Sequence, residues 1–431
     1  MLCKFRHIMA QELLLTRTAV VIATSLSLAF CISCARLGDS GLAAGPDFQK
    51  RFQEALITAK PGAVIELPEG RLDMDRALSL SVDNVTIRGK GIDKTILSFK
   101  KQKSGPAGLQ VTSNGFTIED LAIEDTKGDA LKINGANGVT VRRVRTEWTG
   151  GPSDKNGSYG IYPVQCKNVL IEDSVSIGAA DAGIYVGQSS NIIVRHSRAE
   201  ANVAGIEIEN SQFADVYENK AMHNTGGILV FNLPDLPVKG GGNTRVFNNE
   251  ISENNTQNFG AKGSMVAKVP TGTGVIVLAT NHVEVFKNTI KDNNTANVSV
   301  ISYFTTGNPI NDASYDPFPE AIYVHDNTIS GGGTAPGGEY AEALAPVVGK
   351  PLPAILFDGV MNPKKLGAGK RLPDDSRICI QNNGDATFMN YDAGGHFKHI
   401  SRDLKPYNCS LTPLSAVNLP AAGAGAPAGG S

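Results

Sequence analysis

Glu207 and Glu209 stand two residues apart in Ala204-Gly-Ile-Glu-Ile-Glu. On an extended strand such residues share a face, with their carbons separated by roughly 6.6–7 Å. Carboxyl groups about 6.5–9.5 Å apart can act as the acid and base of an inverting glycoside hydrolase, provided one is held protonated. Any outward Glu-x-Glu on a strand has this geometry, so the pattern permits the chemistry without requiring it. Asp181 is a third candidate catalytic carboxyl. Strand alternation places Lys132, Tyr162, Tyr185, Glu207 and Leu229 in one outward file, and Tyr and Lys beside a carboxylate suit a polysaccharide. Aromatic faces take the apolar side of a sugar ring and polar tips take its hydroxyls. Arg143, with Arg145, is available to neutralise a substrate carboxylate in a lyase or epimerase step.

Metal chemistry has weaker support. His396-x-x-His399 supplies two ligands at most, and His196, His223, His282 and His325 fall at different points of their repeats. Asp312 and Asp316 can hold Ca²⁺ together with backbone carbonyls. The Gly240-Gly-Gly and Thr271-Gly-Thr-Gly runs do not lead from a strand into a helix and read as loop punctuation.

These residues must be positioned by a repeat of about 22 residues, seen in Asn168-Val-Leu-Ile, Ala182-Gly-Ile-Tyr-Val, Asn191-Ile-Ile-Val and Ala204-Gly-Ile-Glu-Ile. A unit with two short β-branched strands cannot bury its own apolar face, so the units stack as a solenoid of β coils. Inserts around 148–159, 233–242, 256–273 and 304–320 lengthen individual coils and are the natural place for a binding surface. Ser174, Ser197, Asn219, Asn249, Asn288 and Asn327 recur at one turn, and Asn202, Asn224, Asn254 and Asn293 at another. Their amides can bond from coil to coil, which predicts ladders that stabilise the stack. Asp47 opens an amphipathic helix with Phe48, Phe52, Ala55 and Leu56 on one side, a cap for the first coil.

The expected organisation is a leader at 1–34, a linker at 35–46, a capping helix at 47–62, the solenoid at 63–360, a C-terminal cap at 361–410 and a tail at 411–431. The tail's Ala, Gly and Pro leave it too poor in apolar bulk to pack. Lys4, Arg6 and Arg17 precede an uncharged run too short for a bilayer span, as in an export signal. Ile32-Ser-Cys34 resembles a lipobox with Cys34 as the lipidated residue, although Cys31 stands where Leu is usual. Cleavage near Ala43-Ala44 is the alternative. Export leaves Cys166, Cys379 and Cys409 in the mature chain, with Cys379–Cys409 the natural disulfide. The 40 basic and 42 acidic residues give a net charge of -2, which offers nothing to nucleic acid.

The Asn-Val-x-Ile and Gly-Ile-x-Val repeats, over roughly 63–358, resemble the right-handed parallel β-helix superfamily of pectate lyases, polygalacturonases and alginate epimerases. The resemblance implies an all-β, single-stranded parallel β-helix. The whole layout looks most like an uncharacterised group of exported bacterial β-helix proteins, often encoded beside an exported cytochrome-type protein, which is thereby a candidate partner. Asp-Pro-His-Asp and Gly-His-Gly, the motifs of two enzyme branches, are missing. Two readings follow for a protein of the periplasm or outer membrane. One is a carbohydrate-binding protein that modifies its glycan, with Tyr162 and Tyr185 exposed on a groove floor. The other is a non-catalytic scaffold that docks a protein through Trp148, Phe259, Phe304, Tyr315 and Phe318.

Overall fold

The computed structural model describes residues 42–367, 369 and 371–420, with only the backbone at Glu339 and Tyr340. The leader, Cys34 and residues 421–431 lie outside the described residues. No helix among the described residues is long and apolar enough to cross a membrane.

Most coils contribute three strands. In one, Lys167–Glu172 and Val175–Ile177 join a 19-stranded parallel sheet, sheet A, and Ala182–Gly187 joins an 11-stranded parallel sheet, sheet B. The repeat shows two strands in sequence because the middle one is three residues long, too short to display a period. Asp173 at φ 51° turns the chain between the two strands of sheet A. Successive coils pair in register, Ala182 opposite Ala204 and Ala204 opposite Gly226. Ile184, Ile206, Ile228 and Val275 point inward and are fully buried.

The polar ladders form as expected. Asn219 Nδ2 donates to Asn249 Oδ1 at 3.0 Å, Asn249 to Asn288 at 2.9 Å and Asn288 to Asn327 at 2.9 Å. Each also donates to a carbonyl of the preceding coil, as Asn249 does to Val216 at 2.9 Å. The second ladder runs Asn202, Asn224, Asn254, Asn293, with Nδ2 to Oδ1 distances of 3.0, 2.9 and 3.1 Å. It also explains the glycine in the Gly-Ile motifs at 183, 205 and 227. A Cβ on Gly205 would meet the Gly227 carbonyl at 2.6 Å and the Asn224 amide at 2.8 Å, and Gly183 and Gly227 meet the ladder in the same way. Glycine is there because a buried amide occupies the space of a methyl group.

The helix Phe48–Thr58 closes the first coil with Phe48, Phe52 and Leu56. Gln49 and Gln53 lie one turn apart and imitate a further strand. Their side chains accept from the N–H of Asp75 at 2.7 Å and Ser79 at 2.9 Å, and donate to the carbonyls of Arg76 and Ser79. The open strand edge is thereby satisfied.

At the other end the stack continues beyond residue 360. Ile378–Gln381 extends sheet A and Phe388–Asn390 extends sheet B. Cys379 and Cys409 form a disulfide. Residues 411–420 differ from the expected loose tail: they cross sheet A, where Leu414 N donates to Glu284 Oε2 at 3.0 Å and Val417 N to Asp215 Oδ2 at 3.1 Å. Backbone N–H bonds to the buried carboxylates of Glu284 and Asp215 hold this segment, which needs no apolar bulk of its own.

Candidate functional site

The outward file exists. Lys132 lies opposite Tyr162, Tyr185 opposite Glu207, and Glu207 opposite Leu229. The row then runs on through Ile276, Ser299 and Leu356. Its first members are half-exposed. Lys132 Nζ sits 4.9 Å from the centre of the Tyr162 ring and 3.7 Å from Asp129 Oδ2. Tyr159 stacks on Tyr162 at 4.2 Å. Burial raises the Tyr162 hydroxyl to about 12.

From Tyr185 to Leu229 the face is covered. Leu233, Phe259, Met265, Val266, Val269, Tyr303 and Tyr315, all from the inserts, pack with Tyr185, Leu229, Phe231 and Ile276 as a second apolar core outside the coils. Lys239 pairs with Asp312 at 2.5 Å and ties two inserts together. Tyr185 is therefore 4% exposed and Glu207 2% exposed, which corrects the expectation of an open groove floor at these residues. Alternation decides which side of the sheet a residue faces. It carries no information on what the inserts lay over that side.

Under this cover Asp181, Glu207 and Glu209 converge. Tyr185 donates its hydroxyl to Glu209 Oε1 at 2.7 Å, and the Tyr159 hydroxyl moderates the upward shift of Asp181. Glu207 Oε2 is buried without a hydrogen-bond partner, and the two glutamates perturb one another's titration. Burial, with repulsion from Glu209, raises Asp181 to about 7. Glu207 is raised by burial and by Glu209 and Asp181, and Glu209 by burial. Gly187 makes room for this arrangement, since a Cβ there would lie 2.1 Å from the Tyr185 hydroxyl. The two glutamates are thus a sealed, proton-sharing pair, and no substrate-sized opening separates them as an inverting pair requires.

Arg143 does not join the file. It sits at a corner of sheet A with φ 50° and grips Asp120 through Nε at 2.6 Å and Nη2 at 2.8 Å. Arg145 is held by Glu124 at 2.9 Å. Asp312 is spoken for by Lys239 and Ser314, which hold it down to about 2. No set of three or more His, Cys, Asp or Glu side chains suited to a metal occurs among the described residues. Cys166 is free and buried, its thiol pushed up to about 11 by burial. The apolar docking patch does not form either. Trp148 is buried with Nε1 donating to the Thr126 carbonyl at 2.7 Å, and only Phe304 of the five loop aromatics is strongly exposed.

Sequence reasoning missed the larger feature. A cleft of about 890 Å³ opens over sheet B, beside the sealed acids. Ile276, Ser299 and Leu356 of the same outward file form its floor, and Thr271, Thr306 and Glu342 stand among its walls. One wall is the insert at 256–273. Another comes from the segment around the helix Glu339–Val348, over 300–400, where the repeat is too interrupted to read. Continuing the file past Leu229 would have pointed to the floor.

The Right handed beta helix region family model matches residues 81–240. No curated protein matches the chain. Among solved structures, the A-module of the Azotobacter vinelandii mannuronan C-5 epimerase AlgE4 is 19% identical with a TM-score of 0.52, the match covering 74% of this chain and 88% of that one. The AlgE6 A-module from the same organism is 20% identical with a TM-score of 0.45, over 68% and 84% of the two chains. An alginate lyase from Paenibacillus is 15% identical with a TM-score of 0.31, over 68% and 98%. The chain has the right-handed parallel β-helix fold, which it shares with the AlgE4 A-module.

Proposed function

We propose that this is an exported cell-envelope protein that binds a polysaccharide along the outer face of sheet B. The observation that carries the reading is the cleft of about 890 Å³, whose apolar floor continues the Lys132–Tyr162–Tyr185 file and whose walls are the inserts. A recess whose mostly apolar floor runs over three successive coils, with hydroxyls and amides around it, suits consecutive sugar rings. The half-exposed Tyr159, Tyr162 and Lys132 lie on the same face and extend the path. Kinship of fold with polysaccharide-acting proteins supports the reading by analogy only. A lyase, epimerase or hydrolase step through Glu207, Glu209 or Asp181 would need the covering inserts to open, so binding is the activity assigned. Export rests on the leader, with Cys34 as the proposed lipid anchor, and the Cys379–Cys409 disulfide suits an oxidising compartment.

The test is a panel of soluble polysaccharides titrated against the mature protein, with Tyr162→Ala alongside. Binding to at least one polysaccharide, weakened severalfold in Tyr162→Ala, is expected. Failure of the wild type to bind any member would sink the reading.

A further inference from the structure

The cleft also carries a signature of which glycans it takes. Charged groups are sparse among its described lining residues: Lys268, Glu342 and His396, which sum to no net charge with the histidine neutral. Lys268 Nζ is already engaged by the Thr306 carbonyl at 2.7 Å and by Asn308 Oδ1. A polyuronate presents a carboxylate on every ring, and each one that enters a cleft needs a cation or several N–H or O–H donors in place of water.

Four of the five described lining threonines do not supply those donors, which leaves Thr271, Ser299 and the Gln257 amide as the few uncharged side-chain donors still free. Thr273 spends its O–H on the Pro270 carbonyl at 3.0 Å, Thr305 on Ser302 at 2.7 Å and Thr306 on Tyr303 at 2.8 Å. What remains for a ligand is the lone pairs of their oxygens. A carboxylate only accepts hydrogen bonds, so it meets acceptors facing acceptors. The hydroxyls of an uncharged sugar bring the missing protons.

The neighbouring end of the face adds to the bias. Asp181, Glu207 and Glu209 lie two or three coils from the cleft floor, and Asp129 faces Lys132. Above about pH 7 the Asp181 carboxylate adds negative charge at this end, which repels an anionic chain approaching along the file.

We infer that the cleft over sheet B is built for an uncharged glycan and selects against polyuronates. The inference rests on the polysaccharide-binding reading and narrows it. Calorimetric titration of the mature protein with neutral oligosaccharides of the gluco-, manno- and xylo- series, and with oligomannuronate and oligogalacturonate, separates the two claims. A neutral series is expected to bind at least tenfold tighter than either uronate, with an affinity that changes less than twofold between 20 and 300 mM NaCl. Uronate binding as tight or tighter, falling with salt, would overturn the inference and leave the polysaccharide reading intact. Binding of neither kind would overturn both. Ser299→Trp fills the floor and is expected to abolish neutral binding. Should that variant not fold, Thr306→Val on the half-exposed rim is expected to weaken binding at least threefold. Unchanged affinity in whichever of the two is folded would place the site elsewhere and defeat the assignment.

Discussion

The sealed acids make stability depend on pH in a direction opposite to the usual carboxylate case. An acid that is ion-paired in the fold has a lowered pKa and stabilises at neutral pH. Here Asp181, Glu207 and Glu209 are raised by burial and by one another. The folded state therefore holds protons that the unfolded chain has released, so the stability this cluster contributes is complete below about pH 4 and is lost as pH climbs through the folded values. For Asp181, moving from 3.8 to about 7 corresponds to a ceiling of about 4 kcal/mol lost by alkaline pH. Sharing of protons among the three groups and partial exposure of Asp181 reduce the expected loss to roughly 2–3 kcal/mol between pH 5 and pH 9. Glu207→Gln keeps the side chain's shape, removes the fully buried member and relieves Asp181 of one repelling neighbour. Its stability is expected to be close to wild type at pH 5 and roughly 2 kcal/mol higher at pH 9. Urea denaturation followed by circular dichroism at half-unit pH steps measures this, with the m-value checking that the same surface unfolds. A wild-type stability that rises from pH 5 to 9, or a Glu207→Gln curve parallel to wild type, would refute the electrostatic account.

Gly205→Ala drives a methyl into the Gly227 carbonyl and the Asn224 amide and should destabilise by about 2–3 kcal/mol, read from the same denaturation midpoint. Asn249→Ala removes the partner of Asn219 Nδ2 and of the Val216 carbonyl and leaves both buried, so a loss of about 2–4 kcal/mol is expected, against under about 0.5 kcal/mol for Asn308→Ala on the half-exposed rim. Removing the Cys379–Cys409 bridge by paired Ser substitutions releases a loop of 30 residues and should cost about 3 kcal/mol, with reduced wild type behaving alike.

Much of the architecture is legible in the residues because a solenoid is nearly one-dimensional. The inward Ile and Val, the Asn ladders and the capping helix depend only on a coil and its neighbour, so a period of about 22 residues is enough to place them. The order of the outward file could be read in the same way, since pairing in register follows from alternation. Gln49 and Gln53 escaped notice because their role is to meet a strand edge that only the assembled first coil presents.

Sequence by itself thus determined the parallel β-helix, the face on which each strand residue lies and the candidate disulfide pair. Tertiary structure alone decided access. Inserts separated by tens of residues fold back over sheet B, seal Tyr185, Glu207 and Glu209, and leave the cleft open over Ile276, Ser299 and Leu356. It also sent Arg143 to a corner of sheet A and tied residues 411–420 across that sheet. The physical reason is the same in each case. Local periodicity governs which way a side chain points, whereas burial, protonation and ligand access depend on what distant segments place above it.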